Sequence, residues 1–140
     1  MGLKDKSLKN RQKRLFNSFK YAFNGFKSAF KTEQNLEIHI LISIVVVIMG
    51  FIFKISLIEW CICLSLFALV IGAELMNTAL EHTIDLLEPH YNESAKIVKD
   101  TSASFVLVFA ILSVIIGSII FIPKIIEVWR LLWEKNLLIY

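Results

Sequence analysis

The chain has 140 residues, room for one domain, and 56% of them are hydrophobic. That proportion excludes an ordinary soluble domain of this size and points to a membrane protein. Its formal net charge is only +3, so where the charges sit says more than their sum.

The first expected element is a helix over residues 8–32. Phe16, Phe19, Phe23, Phe26 and Phe30 recur at steps of three and four, which is one face of a helix. Lys13, Lys20, Lys27 and Lys31 flank that stripe, and Asn17, Tyr21, Asn24 and Ser28 fill the opposite side. Such a helix is expected to lie on membrane lipids, with the Phe rings down and the lysines reaching phosphates. Between residues 1 and 31 the basic residues are Lys4, Lys6, Lys9, Arg11, Lys13, Arg14, Lys20, Lys27 and Lys31, against the single acid Asp5. This excess places the N-terminal end in the cytoplasm. The run is too long and too basic for a cleaved secretory leader, and none is expected.

Three apolar segments follow, each near the roughly 20 residues needed to cross hydrocarbon. The expected spans are residues 35–53, 55–88 and 93–122, with an interfacial tail over 123–140 that carries Trp129 and Trp133. The fold class is therefore all-α integral membrane: three transmembrane helices and an amphipathic surface helix. Lys54-Ile55-Ser56 is a very short link, so the first two spans form a tight antiparallel pair. Three crossings put Lys54 outside and the loop with Lys96 and Lys99 inside. Cys61 and Cys63 stand two apart in an apolar run and cannot face each other on a helix, so no structural disulfide is expected.

The second span ends in "AELMNTALEHTID", residues 73–85. At about 100° per residue, Glu74, Asn77, Glu81 and Asp85 share an arc of roughly 80°. From Ile55 to Glu88 the helix is roughly 50 Å long, against about 30 Å of hydrocarbon. Its polar end therefore protrudes on the cytoplasmic side, with Glu74 near the boundary and the others further out. Pro89 ends it. Acids near a bilayer are costly, and three on one face repel. A hard divalent cation such as Mg²⁺, carrying phosphate, would account for Glu74, Asn77 and Glu81 together. Asp85 alone reads as a solvated helix end. Lys96 and Lys99, one turn apart before Asp100, could hold polyphosphate on the same side. Glu33 and Glu37 stand before the first crossing, where either could add a carboxylate. His39 reads as a packed or interfacial residue.

No Gly-rich phosphate loop, Cys/His zinc cluster or nucleophile elbow is present. A non-enzymatic scaffold or complex subunit would explain the crossings and the Phe stripe, but not the register of Glu74, Asn77 and Glu81. An ion carrier would want a carboxylate near the midplane, and Glu74 and Glu59 lie at opposite edges.

The run "ELMNTALEHTID" followed by "AKIVKD" resembles the signature of the prokaryotic diacylglycerol kinase family, which includes undecaprenol kinases; the likeness extends over about residues 14–122. The resemblance implies a homotrimeric kinase of a bacterial plasma membrane, moving the γ-phosphoryl of ATP, with Mg²⁺, to a lipid alcohol. It implies Glu74 as the catalytic base, Glu33 and Glu81 as metal ligands, and Asn77 as an orienting group beside Glu74. Lys99 and Asp100 match nucleotide-contacting positions, as do Arg14 and Tyr21 on the surface helix and His90, Tyr91 and Asn92 in the loop. No nucleic-acid partner is expected. Phe105 stands where the family favours a small residue, and Glu37 where many relatives are basic. "NLEIHI" after Glu33 is closer to Gram-positive-type members. Diacylglycerol and undecaprenol both remain candidate acceptors.

Overall fold

The computed structural model describes residues 3–137, with side chains over 10–134. They form four helices: α1 Leu3–Thr32, α2 Gln34–Ile52, α3 Leu57–Leu87 and α4 Glu93–Leu137. Among the described residues there are no strands. Helices α2, α3 and α4 are each long and apolar enough to cross a membrane.

The chain leaves α1 for α2 at a single residue. Glu33 takes an extended backbone, φ −109° and ψ 106°, and caps α2. The turn from α2 to α3 is tighter. Lys54 adopts a left-handed φ of 49°. The Ile55 amide donates to the Gly50 carbonyl at 3.1 Å, and the Lys54 amide to the Phe51 carbonyl at 3.3 Å. This is a Schellman closure, with lysine where glycine is the usual choice. Helix α3 then starts with a capping box: the Glu59 carboxylate accepts from the Ser56 amide at 2.6 Å, and the Ser56 hydroxyl from the Glu59 amide at 3.3 Å.

Gly50 is required here by a close approach. A Cβ at this position would come within 2.7 Å of the Trp60 ring, itself packed beside Ile55, Cys63, Ile120 and Phe121. Gly50→Ala should therefore cost about 1–3 kcal/mol, because the indole must leave its place. Thermal unfolding in detergent checks it, and an unchanged midpoint would rule out the crowding.

Helix α3 is central. It packs along α4 and against α2, and the end of α1 reaches both α2 and α3, while the backbones of α2 and α4 do not approach each other. The gap between them is an apolar groove of about 370 Å³, walled by side chains that include His39, Val46, Leu66, Val70, Ser113 and Phe121. Most of each apolar span is otherwise exposed on the single chain, as expected of surface meant for lipid or for further copies.

Pro123 lies inside helix α4. The helix runs through it without a break, so the expected third span and the start of the expected tail share one helix; residues 138–140 lie outside the described part. Pro123 has no N–H to give the Ile119 carbonyl, a loss that long helices tolerate when apolar turns on both sides hold the axis. One turn of α4 is tied down just there: the Lys124 ammonium lies 3.0 Å from the Glu59 carboxylate at the start of α3.

The Phe stripe of α1 is uncovered over most of its length. Phe16, Phe19 and Phe23 are exposed, while Phe26 is half-buried and Ala29 is buried where α1 meets the bundle.

Candidate active site

The polar stripe of α3 is buried at its start. Among the described residues Glu74, Asn77 and Thr78 are the buried polar ones, with Glu74 only 3% exposed. They stay helical because each finds a local partner. The Thr78 hydroxyl donates to the Glu74 carbonyl at 3.0 Å. The Asn77 amide nitrogen donates to Glu81 Oε1 at 2.9 Å, one turn on. These bonds leave Asn77 Oδ1 buried with no partner. An orphaned buried carbonyl oxygen is costly, and its position beside the Glu81 carboxylate suits a cation or a donor from a ligand.

Glu74 faces α2. Its Oε1 lies 3.3 Å from His39 Nε2. The carboxyls of Glu33, at the α1–α2 junction, and Glu81, further along α3, both add negative charge in the neighbourhood of Glu74. His39 also lines one end of the apolar groove. Glu74 is thereby linked through a single side chain to a cavity with hydrocarbon character. Sequence reasoning set His39 aside as a packing residue; no spacing along the chain marks it, because its partner Glu74 stands on another helix.

The other expected site residues are placed less tightly. Lys99 is not free: its ammonium pairs with Asp85 across the α3–α4 junction. Asp85, read as a solvated helix end, thus has a definite partner. Asp100 is exposed, and so are Arg14 and Tyr21 on α1. Among the described residues, the side chains of these three make no hydrogen bond or ion pair. Asn92 caps α4, its Oδ1 accepting from the Ser94 amide at 2.9 Å and the Ala95 amide at 3.4 Å. His90 and Tyr91 are exposed beside it. Phe105 stacks edge-on against Phe109 and lines a shallow recess with Met76, Asn77 and Leu80, so its bulk is taken up on the surface of the helix pair.

The donor set bears on a metal. Glu33, Glu81 and Asn77 Oδ1 offer oxygen only, which suits a hard cation. Among the described residues no three His, Cys, Asp or Glu side chains converge as a cage. A cation held here would take its remaining ligands from phosphate and water, the usual arrangement for Mg²⁺ at a nucleotide.

Comparison with known proteins follows the same lines. Residues 20–121 match the family model for prokaryotic diacylglycerol kinase. The chain is 44% identical over 94 residues to an undecaprenol kinase of Bacillus subtilis strain 168, covering 67% of this chain and 76% of that protein. It is 36% identical over 97 residues to a diacylglycerol kinase of Synechocystis, covering 69% of this chain and 55% of that one. With the matched region taking in α2, α3 and the buried polar stripe, the chain belongs to the prokaryotic diacylglycerol kinase family and is a membrane lipid kinase.

Proposed function

We propose that this lipid kinase transfers the γ-phosphoryl group of ATP to the hydroxyl of a membrane polyprenol, with Glu74 as the base. The observation that carries the reading is the burial of Glu74 between His39, which lines the apolar groove, and the oxygen-rich Asn77–Glu81 turn of α3. A lipid hydroxyl would approach from the groove, and the nucleotide from the side of Glu81.

In the transfer, the lipid oxygen forms a bond to the γ-phosphorus. The bond from that phosphorus to the β–γ bridging oxygen breaks, ADP leaves, and Glu74 takes the hydroxyl proton. Phosphoryl transfer asks the protein for positioning and charge more than for covalent chemistry. Glu33 and Glu81, with Asn77 Oδ1, would hold Mg²⁺, which when bound neutralises charge on the phosphates. Asn77 keeps Glu81 in place through its amide. Lys99 reaches phosphate by exchanging its Asp85 partner for the ligand, and Asp100, Arg14, Tyr21, His90, Tyr91 and Asn92 form the outer nucleotide surface. The uncovered apolar faces support assembly into a homotrimer in a bacterial plasma membrane, with α1 on the cytoplasmic leaflet.

Polyprenol is preferred over diacylglycerol because of the 44% identity to an undecaprenol kinase. The test is purified protein in mixed micelles with Mg²⁺ and γ-labelled ATP, given undecaprenol or diacylglycerol in separate reactions. Label in undecaprenol supports the reading. Label in diacylglycerol alone reassigns the acceptor, and label in neither removes the kinase reading.

A further inference from the structure

Glu74 has one donor side chain beside it. Among the described residues no Lys or Arg pairs with it, and His39 Nε2, at 3.3 Å from Oε1, is its only cationic or N–H side-chain neighbour. The His39 side chain is 22% exposed and that of Glu74 only 4%. A carboxylate so shut off from water is costly to keep charged without a donor. Glu33 and Glu81 make this worse, since both add negative charge nearby.

The Ser43 hydroxyl donates to the His39 carbonyl at 2.8 Å, and both residues line the groove. The imidazole thus has its ring between α2 and α3, one edge on the groove and one nitrogen on Glu74. The other carboxylate oxygen, Oε2, makes no hydrogen bond to the described residues. Nothing so far assigns a role to this pair, and a simple α2–α3 tie would be satisfied by any matched packing.

We propose that His39 is a positioning residue for Glu74: its Nε2, 3.3 Å from Oε1, holds that oxygen and leaves Oε2 free to accept the proton of the lipid hydroxyl. The proposal rests on reading Glu74 as the base. A carboxylate that is free to rotate presents its oxygens to the hydroxyl only part of the time, and misplacement at a reacting centre is costly in rate. Fixing one oxygen keeps the other on line without touching the substrate. This acts on turnover and not on substrate affinity.

The experiment measures kcat and both KM values in mixed micelles for His39→Ala, His39→Gln, Glu74→Gln and the double variant H39A/E74Q. His39→Ala is expected to lower kcat by about 10- to 100-fold, with the KM for Mg-ATP and for lipid within about threefold of the parent. His39→Gln, which keeps an N–H of similar reach, should recover at least about fivefold of that loss, a rescue that packing alone would not give. In the Glu74→Gln background, His39→Ala should lower kcat by no more than about twofold further, because its effect runs through the carboxylate. A His39→Ala kcat within about twofold of the parent overturns the proposal, as does a loss confined to KM or an undiminished loss in the Glu74→Gln background. If His39→Ala fails to assemble, His39→Gln carries the test: a kcat within about tenfold of the parent supports the role, and a deeper fall at unchanged KM overturns it. Failure of the underlying reading looks different. Glu74→Gln with full turnover removes the base itself, whereas a dead Glu74→Gln beside a fully active His39→Ala removes only His39.

Discussion

Glutamine in place of Glu74 is expected to lower kcat by about 10²- to 10⁴-fold, the usual share of a positioned general base. Mg-ATP affinity should stay within about twofold, since the groups proposed to hold the nucleotide and cation lie elsewhere on α3, α4 and the α1–α2 junction. The variant keeps its fold for a physical reason. The amide has nearly the volume of the carboxyl, and it removes a charge that is 3% exposed and beset by two other carboxyls. The Thr78 bond to the Glu74 carbonyl involves only main chain on that side and is unaffected. Single-turnover transfer of γ-label, alongside nucleotide binding by calorimetry, separates the two quantities. Loss of binding in step with turnover would move Glu74 from the base position to the nucleotide site.

Glu81→Gln should behave in the opposite sense. It is expected to raise the KM for Mg-ATP by about 10- to 100-fold while leaving kcat within about tenfold once Mg²⁺ is raised to saturation. The hydrogen bond from Asn77 to Oε1 of residue 81 survives, because a carboxamide oxygen accepts as a carboxylate does. What goes is the negative charge next to the unpartnered Asn77 Oδ1. A Mg²⁺ titration at fixed ATP reads this directly, and chelation of the parent should abolish transfer reversibly. A Glu81→Gln curve that overlies the parent at every Mg²⁺ concentration would remove Glu81 from the cation site.

The crossings were legible because hydrophobic burial in lipid is a property of local composition, as was the α1 face that repeats Phe at helical spacing. The register of Glu74, Asn77 and Glu81 was legible too, because a helix fixes which residues share a face once its period is known. The continuity of α4 through Pro123 was not legible: the turns on either side and the Lys124–Glu59 pair outweigh one missing hydrogen bond.

The amino-acid order by itself determined the helical membrane class, the basic N-terminal side, and the acidic stripe on α3, since these depend on period and composition along one element. Only the tertiary structure decided which partners that stripe meets. His39 comes from another helix to lie 3.3 Å from Glu74, and Lys99 crosses to Asp85. Gly50 likewise owes its small size to Trp60 across a turn. These pairings depend on how α2, α3 and α4 stack, and stacking is set by the summed packing of whole faces, which no single stretch of sequence contains.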